Sequence, residues 1–245
     1  MLIVICGRIV TMKYYVITRN MLLFNKLPTQ LLYCLISFIF VFSSPLLANT
    51  TLNVKVTDTN NRPLENMVVF VEPVNHKVAL ENTTTLEIGQ QNKSFIPYIS
   101  VMQLGSNVNF NNKDNITHHI YSPVGENKFS VKIRSGQQII KHNFKQAGEV
   151  SMGCNIHDWM SGYMLIVDTP FFAKSDKSGN TNIEITHPGQ YKVVVWHPQM
   201  KEADNKIAKF ININNSMKMV MKLSKPMDDI PSQKNEDDFD FLSDY

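Results

Sequence analysis

From residue 51 onward the sequence breaks into short runs rich in apolar and β-branched residues, separated by clusters of Asn, Asp, Gly, Pro and Ser. The runs "TLNVKVTD" (51–58) and "NMVVFVEPV" (66–74) flank the turn residues "TNNRPLE". Downstream, "SNVNFNN", "KFSVKIR", "GEVSMGC", "GYMLIVD", "NTNIEIT", "GQYKVVVW" and "KFININ" repeat the pattern. No segment keeps a helical apolar period over about four turns, so helices would have no face with which to build a core. Strands have one, because alternation puts every second residue on the same side of a sheet. With 43% hydrophobic residues in a chain of 245, a core of ordinary globular size is available in one or two domains. The implied class is all-β, a β-sandwich of Greek-key type.

The first 48 residues stand outside this pattern. "LLYCLISFIFVFSSPLLA" (31–48) is an apolar run preceded by Lys26 and closed by Pro45 and Ala48, the layout of a secretory signal peptide cut before Asn49. Met21 opens a signal of more usual length than Met1 does, so residues 1–20 read as an over-called start. A run of about 20 apolar residues can also span a bilayer uncleaved; cleavage is the expectation, leaving no stable membrane insertion. Cys34 follows Tyr33 without the small residues of a lipoprotein site, so no lipid anchor is expected.

Removing the signal changes two sums. Residues 1–48 hold four of the 24 basic residues and no acid, so the remainder carries 20 basic against 21 acidic residues, and no basic excess suggests a nucleic-acid partner. Cys6 and Cys34 leave as well, and Cys154 is then the single thiol of an exported protein. In an oxidising compartment such a thiol is a liability unless it is buried or bound to a metal. At the other end, residues 227–245 carry seven acids against Lys234, and 225–245 is expected to be a solvated, disordered tail.

Cys154 opens the stretch "CNIHDWM" (154–160). Thiolate, imidazole and thioether are together the donor set that selects copper, and two histidines with one cysteine and a weak axial methionine make a blue-copper site. His157 and Met160 follow Cys154 at intervals of three in a loop between "GEVSMGC" and "GYMLIVD". The missing imidazole must come from another strand end, and "NKDNITHHIYSP" (112–123) offers His118 and His119. Neighbours on an extended chain point to opposite sides, so only one of the two can face a shared ion. Met164 is a rival thioether, but its place inside a strand gives it to the core. His76, His142, His187 and His197 read as surface or turn residues.

The segments "FIPYISVMQLGSNVNFNNKDNITHHIYS" and "AGEVSMGCNIHDWMSGYMLIVD" resemble the strand pairs and two ligand loops of cupredoxins, the blue-copper proteins that include plastocyanin and amicyanin. The Cys-x-x-His-x-x-Met spacing is similar to that of amicyanin. The resemblance implies one type 1 copper ion held by His118, Cys154, His157 and Met160, with His119 where the family has Asn. Asn155 and Ile156 depart from the usual Thr or Ser after the cysteine and Pro before the histidine. The hydrogen bond that ties the two loops therefore needs another donor, for which the Asn155 amide is a candidate.

The flanks "TLNVKVTDTNNRPLENMVVFVEP" and "KSDKSGNTNIEITHPGQYKVVVWHP" are similar to carboxypeptidase regulatory-like, or prealbumin-like, β domains. The expected organisation is a cupredoxin domain at 89–170 inserted into a small β-sandwich module formed by 50–88 and 171–224. Proteins of the methylamine-utilisation type share this layout. The function implied is a periplasmic one-electron carrier, not an enzyme, that meets redox protein partners transiently through the exposed edge of His157, with Trp159 and Pro123 as an apolar rim. The alternatives are a copper-binding or copper-delivery protein without electron transfer, and a metal-free β-sandwich binding module.

Overall fold

The structure is a computed structural model, and it describes residues 50–80, 84–123, 125–141 and 144–233. The expected signal segment, with Cys6 and Cys34, lies outside the described residues, as do His142 and the acidic residues from 234 onward.

The described residues form sixteen strands, in chain order β1 (Thr50–Thr57), β2 (Val68–Pro73), β3 (Thr85–Gln91), β4 (Ser94–Ile96), β5 (Ile99–Gln103), β6 (Asn107–Asn112), β7 (His118–Ser122), β8 (Phe129–Ile133), β9 (Gln138–Lys141), β10 (Gly148–Cys154), β11 (Ser161–Val167), β12 (Phe172–Lys174), β13 (Asn180–Ile185), β14 (Gly189–Trp196), β15 (Lys206–Ile213) and β16 (Met217–Lys222). Among the described residues there is no α-helix, only a 3₁₀ turn at Ala203–Asn205, and no helix long and apolar enough to cross a membrane.

The strands form two sandwiches. The flanking one packs the sheet β13-β1-β16 on β12-β2-β14-β15, around a core to which β1 gives Leu52, Val54 and Val56 and β14 gives Tyr191, Val193 and Val195. Each such side chain taken out of water contributes roughly 1.5–3 kcal/mol. Tyr191 buries its phenol without orphaning it, since Tyr191 Oη donates to the His187 carbonyl at 2.6 Å. The central sandwich packs β5-β11-β10-β7-β8 on β4-β3-β6-β9 around Ile88, Phe110, Ile120, Met152 and Met164. β3 runs parallel to β6 from Thr85, so residues 85–88, assigned above to the flanks, hydrogen-bond within the central sandwich.

The two sandwiches meet in an apolar seam, where Val68 and Trp196 from the flanks pack against Ile99, Leu165 and Val167. Lys174 Nζ donates to the Ile99 carbonyl and Gln199 Nε2 to Tyr98 Oη, both at 3.0 Å. Beyond β16 the chain departs from the disordered tail expected from 225. The N–H groups of Ser224 and Lys225 donate to Glu202 Oε1 at 2.9 and 3.0 Å, and the Asp228 N–H to the Gln199 carbonyl at 2.9 Å. Paired polar groups and the partly buried Met227 hold this stretch, while five of the seven acids that suggested the tail lie outside the described residues.

His197 also departs from expectation. It sits at the turn after β14 but is only 1% exposed, and its Nδ1 accepts the Gln199 N–H at 3.2 Å. Burial without a charged partner depresses its pKa from 6.5 to about 4.

Candidate metal centre

Strand register builds the site. On β10, Val150, Met152 and Cys154 alternate inward, so the Sγ of Cys154 ends the buried face of that strand. Cys154 pairs with Ile120 of β7, and paired residues point to the same side of a sheet. His118 lies two residues from Ile120 and shares its buried face, whereas His119 points the other way. His118 Nδ1 accordingly faces Cys154 Sγ at 3.7 Å.

The loop after Cys154 closes the group from below. The Met160 N–H donates to the His157 carbonyl at 3.0 Å, and this tight turn folds His157 back so that its Nδ1 lies 3.7 Å from the same Sγ. The His118 and His157 rings stand 5.0 Å apart between centroids. One donor atom from each of His118, Cys154 and His157 lies within 4.8 Å of the other two. All three residues are buried, as is Met160, which packs in the same cluster. Met164 is wholly buried in the core of the strand, as its position in "GYMLIVD" suggests.

The separations test whether a metal fits. A cation with bonds of about 2.3 Å to a thiolate and about 2.0 Å to imidazole nitrogens, spread at trigonal angles, needs an S···N distance of about 3.7 Å. Both observed distances meet it. Burial opposes ionisation of the Cys154 thiol, yet the His118 imidazole, the N–H groups of Ile156 and His119 and the His157 imidazole stabilise the thiolate and bring its pKa from 9.0 to about 6. A thiolate is the form in which cysteine binds a metal.

A second layer orients these side chains. Burial opposes protonation of His118, but Cys154 and Asp114 on its two nitrogens raise its pKa above the ordinary value. Asp114 Oδ2 lies 2.8 Å from His118 Nε2. The same carboxylate accepts the N–H groups of Asn92 at 2.6 Å and Lys93 at 2.9 Å. Burial works against its charge too, but these N–H groups and His118 outweigh it and hold Asp114 below the usual carboxylate range. Sequence reasoning missed Asp114. An acid four residues before a candidate ligand was the available signal, but turn conformation decides whether that spacing brings the two together.

The tie between the two segments is made on the outward face. Asn155 Nδ2 lies 3.2 Å from His119 Nδ1, the Asn155 N–H donates to the His119 carbonyl at 2.9 Å, and His119 Nε2 reaches Ser130 Oγ at 2.7 Å. Gly153, beside the cysteine, allows the Tyr121 ring to lie against the strand, for a Cβ there would meet Tyr121 at 3.1 Å.

One expectation is overturned. His157 is only 3% exposed, so it presents no open edge. Trp159 packs over it, with ring centroids 5.3 Å apart, and Trp159 Nε1 is buried without an acceptor. Ile156, which is 50% exposed, reaches solvent at this end together with Asn155, Asp158 and Pro123.

No protein-family model matches the chain, and no curated protein matches it. Among solved structures it is similar to a purple cupredoxin from Nitrosopumilus maritimus, with 21% identity over 34% of this chain and 99% of that one at a TM-score of 0.30. It is also similar to a mutant amicyanin with Cu(I), with 14% identity over 34% of this chain and 82% of that one at a TM-score of 0.31. A copper-containing nitrite reductase from Thermus scotoductus aligns with 19% identity over 46% of this chain but only 28% of that one, at a TM-score of 0.33.

Proposed function

We propose that this chain is a periplasmic blue-copper protein of the cupredoxin kind that carries single electrons between redox proteins. The observation that carries this reading is the buried thiol with two imidazole nitrogens at 3.7 Å, the separation a trigonal cation requires. Bound copper would supply one-electron exchange between its Cu(I) and Cu(II) states. Everything else is the work of the chain. Cys154 offers a thiolate at neutral pH, His118 and His157 offer imidazole nitrogens, and Met160, buried in the same cluster, would offer its thioether. Strand register fixes His118 against Cys154, the Met160–His157 turn fixes the loop, and the Asn155–His119 tie joins the two segments. Donors held this way move little when charge changes, which favours electron exchange.

The partner would meet this end through a small, transient contact. Because Trp159 covers His157, the indole and its neighbours Ile156 and Pro123 form the contact surface, not a bare imidazole edge. The same closure of the site favours a second reading, a copper-storing or copper-delivering protein with the same donors. We read the flanking sandwich as a carboxypeptidase regulatory-like module that supports the carrier.

The experiment is copper loading of the chain from Asn49 onward. An intense visible thiolate-to-copper band with a reversible one-electron wave is expected. A colourless copper protein would sink the blue-copper reading, and a coloured one without a reversible wave would move the assignment to storage or delivery.

A further inference from the structure

The last described residue of the chain reaches back to the metal end of the central sandwich. Gln233 Nε2 donates to Ser161 Oγ at 3.1 Å, and Gln233 Oε1 accepts the Ser161 N–H at 3.4 Å. Ser161 is the first residue of β11 and directly follows Met160. Nearby, Tyr98 Oη accepts a hydrogen bond from Gln199 Nε2 at 3.0 Å. Tyr98 is itself held to β11, its carbonyl accepting the Tyr163 N–H at 2.8 Å. One glutamine side chain from outside the central sandwich thus binds the residue after Met160, and a second binds Tyr98, whose carbonyl pairs with the same strand.

The geometry points to Gln233 as a positioning residue for the Met160 side of the metal centre, acting through Ser161. The route is short: both polar groups of one amide bind the N–H and the hydroxyl of a single residue, which fixes that residue in position and orientation. The strap is anchored upstream at Glu202 and at Gln199, so the pull on Ser161 is referred to the flanking sandwich. A thioether that binds weakly has little hold on its own position, so its distance is set by the backbone that carries it. The flanks then contribute to the site without supplying a ligand, and the chain continues from Gln233 for twelve residues, five of them acidic.

This inference rests on the copper reading for its consequence but not for its geometry, and the test separates the two. In the full chain, Gln233→Ala is compared with Asp228→Ala, which breaks the strap's contact with Lys201 and leaves Gln233 in place. In the metal-free protein, the Ser161 amide should exchange with solvent about tenfold faster in Gln233→Ala, the worth of one lost hydrogen bond, and at the original rate in Asp228→Ala. In the copper-loaded protein, Gln233→Ala should change the intensity ratio of the visible bands and the reduction potential, both of which respond to the axial donor. An unchanged exchange rate overturns the inference. So does faster exchange with unchanged bands and potential, which would reduce the strap to a purely structural contact. If the unsubstituted protein shows no copper band, the functional reading falls and the exchange measurement alone decides whether Gln233 fixes Ser161.

Discussion

The two sandwiches are built from the same material and use their buried polar groups in opposite ways. In the flanking sandwich, three buried polar side chains turn to the nearest backbone: Tyr191 Oη to the His187 carbonyl, Ser175 Oγ to the Leu64 carbonyl, Thr181 Oγ1 to the Val54 carbonyl. Each removes an orphan and leaves nothing for a ligand. In the central sandwich, the side chains of His118, Cys154 and His157 are buried facing one another, with both imidazoles turned to one sulfur at 3.7 Å. Sequestering three such groups from water costs free energy, and a shared cation would recover part of it. The difference shows where to look for function in a chain of similar β layers: at buried polar atoms that point at each other.

The largest expected effect is at Cys154. Cys154→Ser should abolish the visible copper band entirely while leaving the flanking sandwich folded, and a variant that keeps the band would break the comparison at its centre. Leu52→Ala addresses the other side. It opens a cavity beneath β1 in an all-apolar core and should destabilise the protein by about 2–5 kcal/mol in denaturant unfolding. The copper spectrum of the folded fraction should stay the same, since no element of the site touches that core. A shifted spectrum would mean that the flanking core tunes the metal centre directly.

Next comes His197, a histidine buried in the flanking sandwich. Its folded-state pKa of about 4 lies below the unfolded value of 6.5, so the unfolded chain takes up the proton first as pH falls. The stability that neutral His197 contributes is therefore complete above about pH 6.5 and drains away toward pH 4, amounting to up to about 3 kcal/mol. In His197→Gln this part of the acid loss should vanish, as measured by unfolding at a series of pH values. An identical pH profile in both proteins would show that the imidazole is not held neutral.

Much of this was legible in sequence, for physical reasons that also mark where reading stops. Strand alternation gave the all-β class, and the phase of His118 with Ile120 is the same alternation seen at the site. Cys154 was legible because it is the single cysteine after residue 48. What failed depended on loops. The burial of His157 follows from how the turn to Met160 lays Trp159 across it, and no periodicity encodes that. Asp114 and Gln233 are ordinary polar residues in sequence, and only the chain's path brings one to His118 and the other to Ser161. His197 was misplaced because a histidine in a turn is usually wet, whereas here the turn is buried and its Nδ1 accepts the Gln199 N–H.

The smallest effect, and the one that compares the sandwiches most directly, comes from two carboxylates with similar surroundings. Asp58 in the flanks accepts the N–H groups of Asn60 and Arg62 at 2.8 Å, with Arg62 Nε beside it at 2.7 Å. Asp114 accepts the N–H groups of Asn92 and Lys93 but turns its remaining capacity to His118 Nε2. Replacing either by Asn keeps the shape, removes the charge and sets an amide NH₂ against groups that donate. In Asp58→Asn the loss should appear only as lower stability. In Asp114→Asn the imidazole also loses the partner that fixes its ring and strengthens its other nitrogen as a donor. Copper affinity should then fall about 10–100-fold, roughly 1.4–2.7 kcal/mol, measured by competition with a chelator. The reduction potential should rise, because a negative charge that favoured Cu(II) has gone. Equal copper affinity in the two variants would mean that Asp114, like Asp58, only closes a turn.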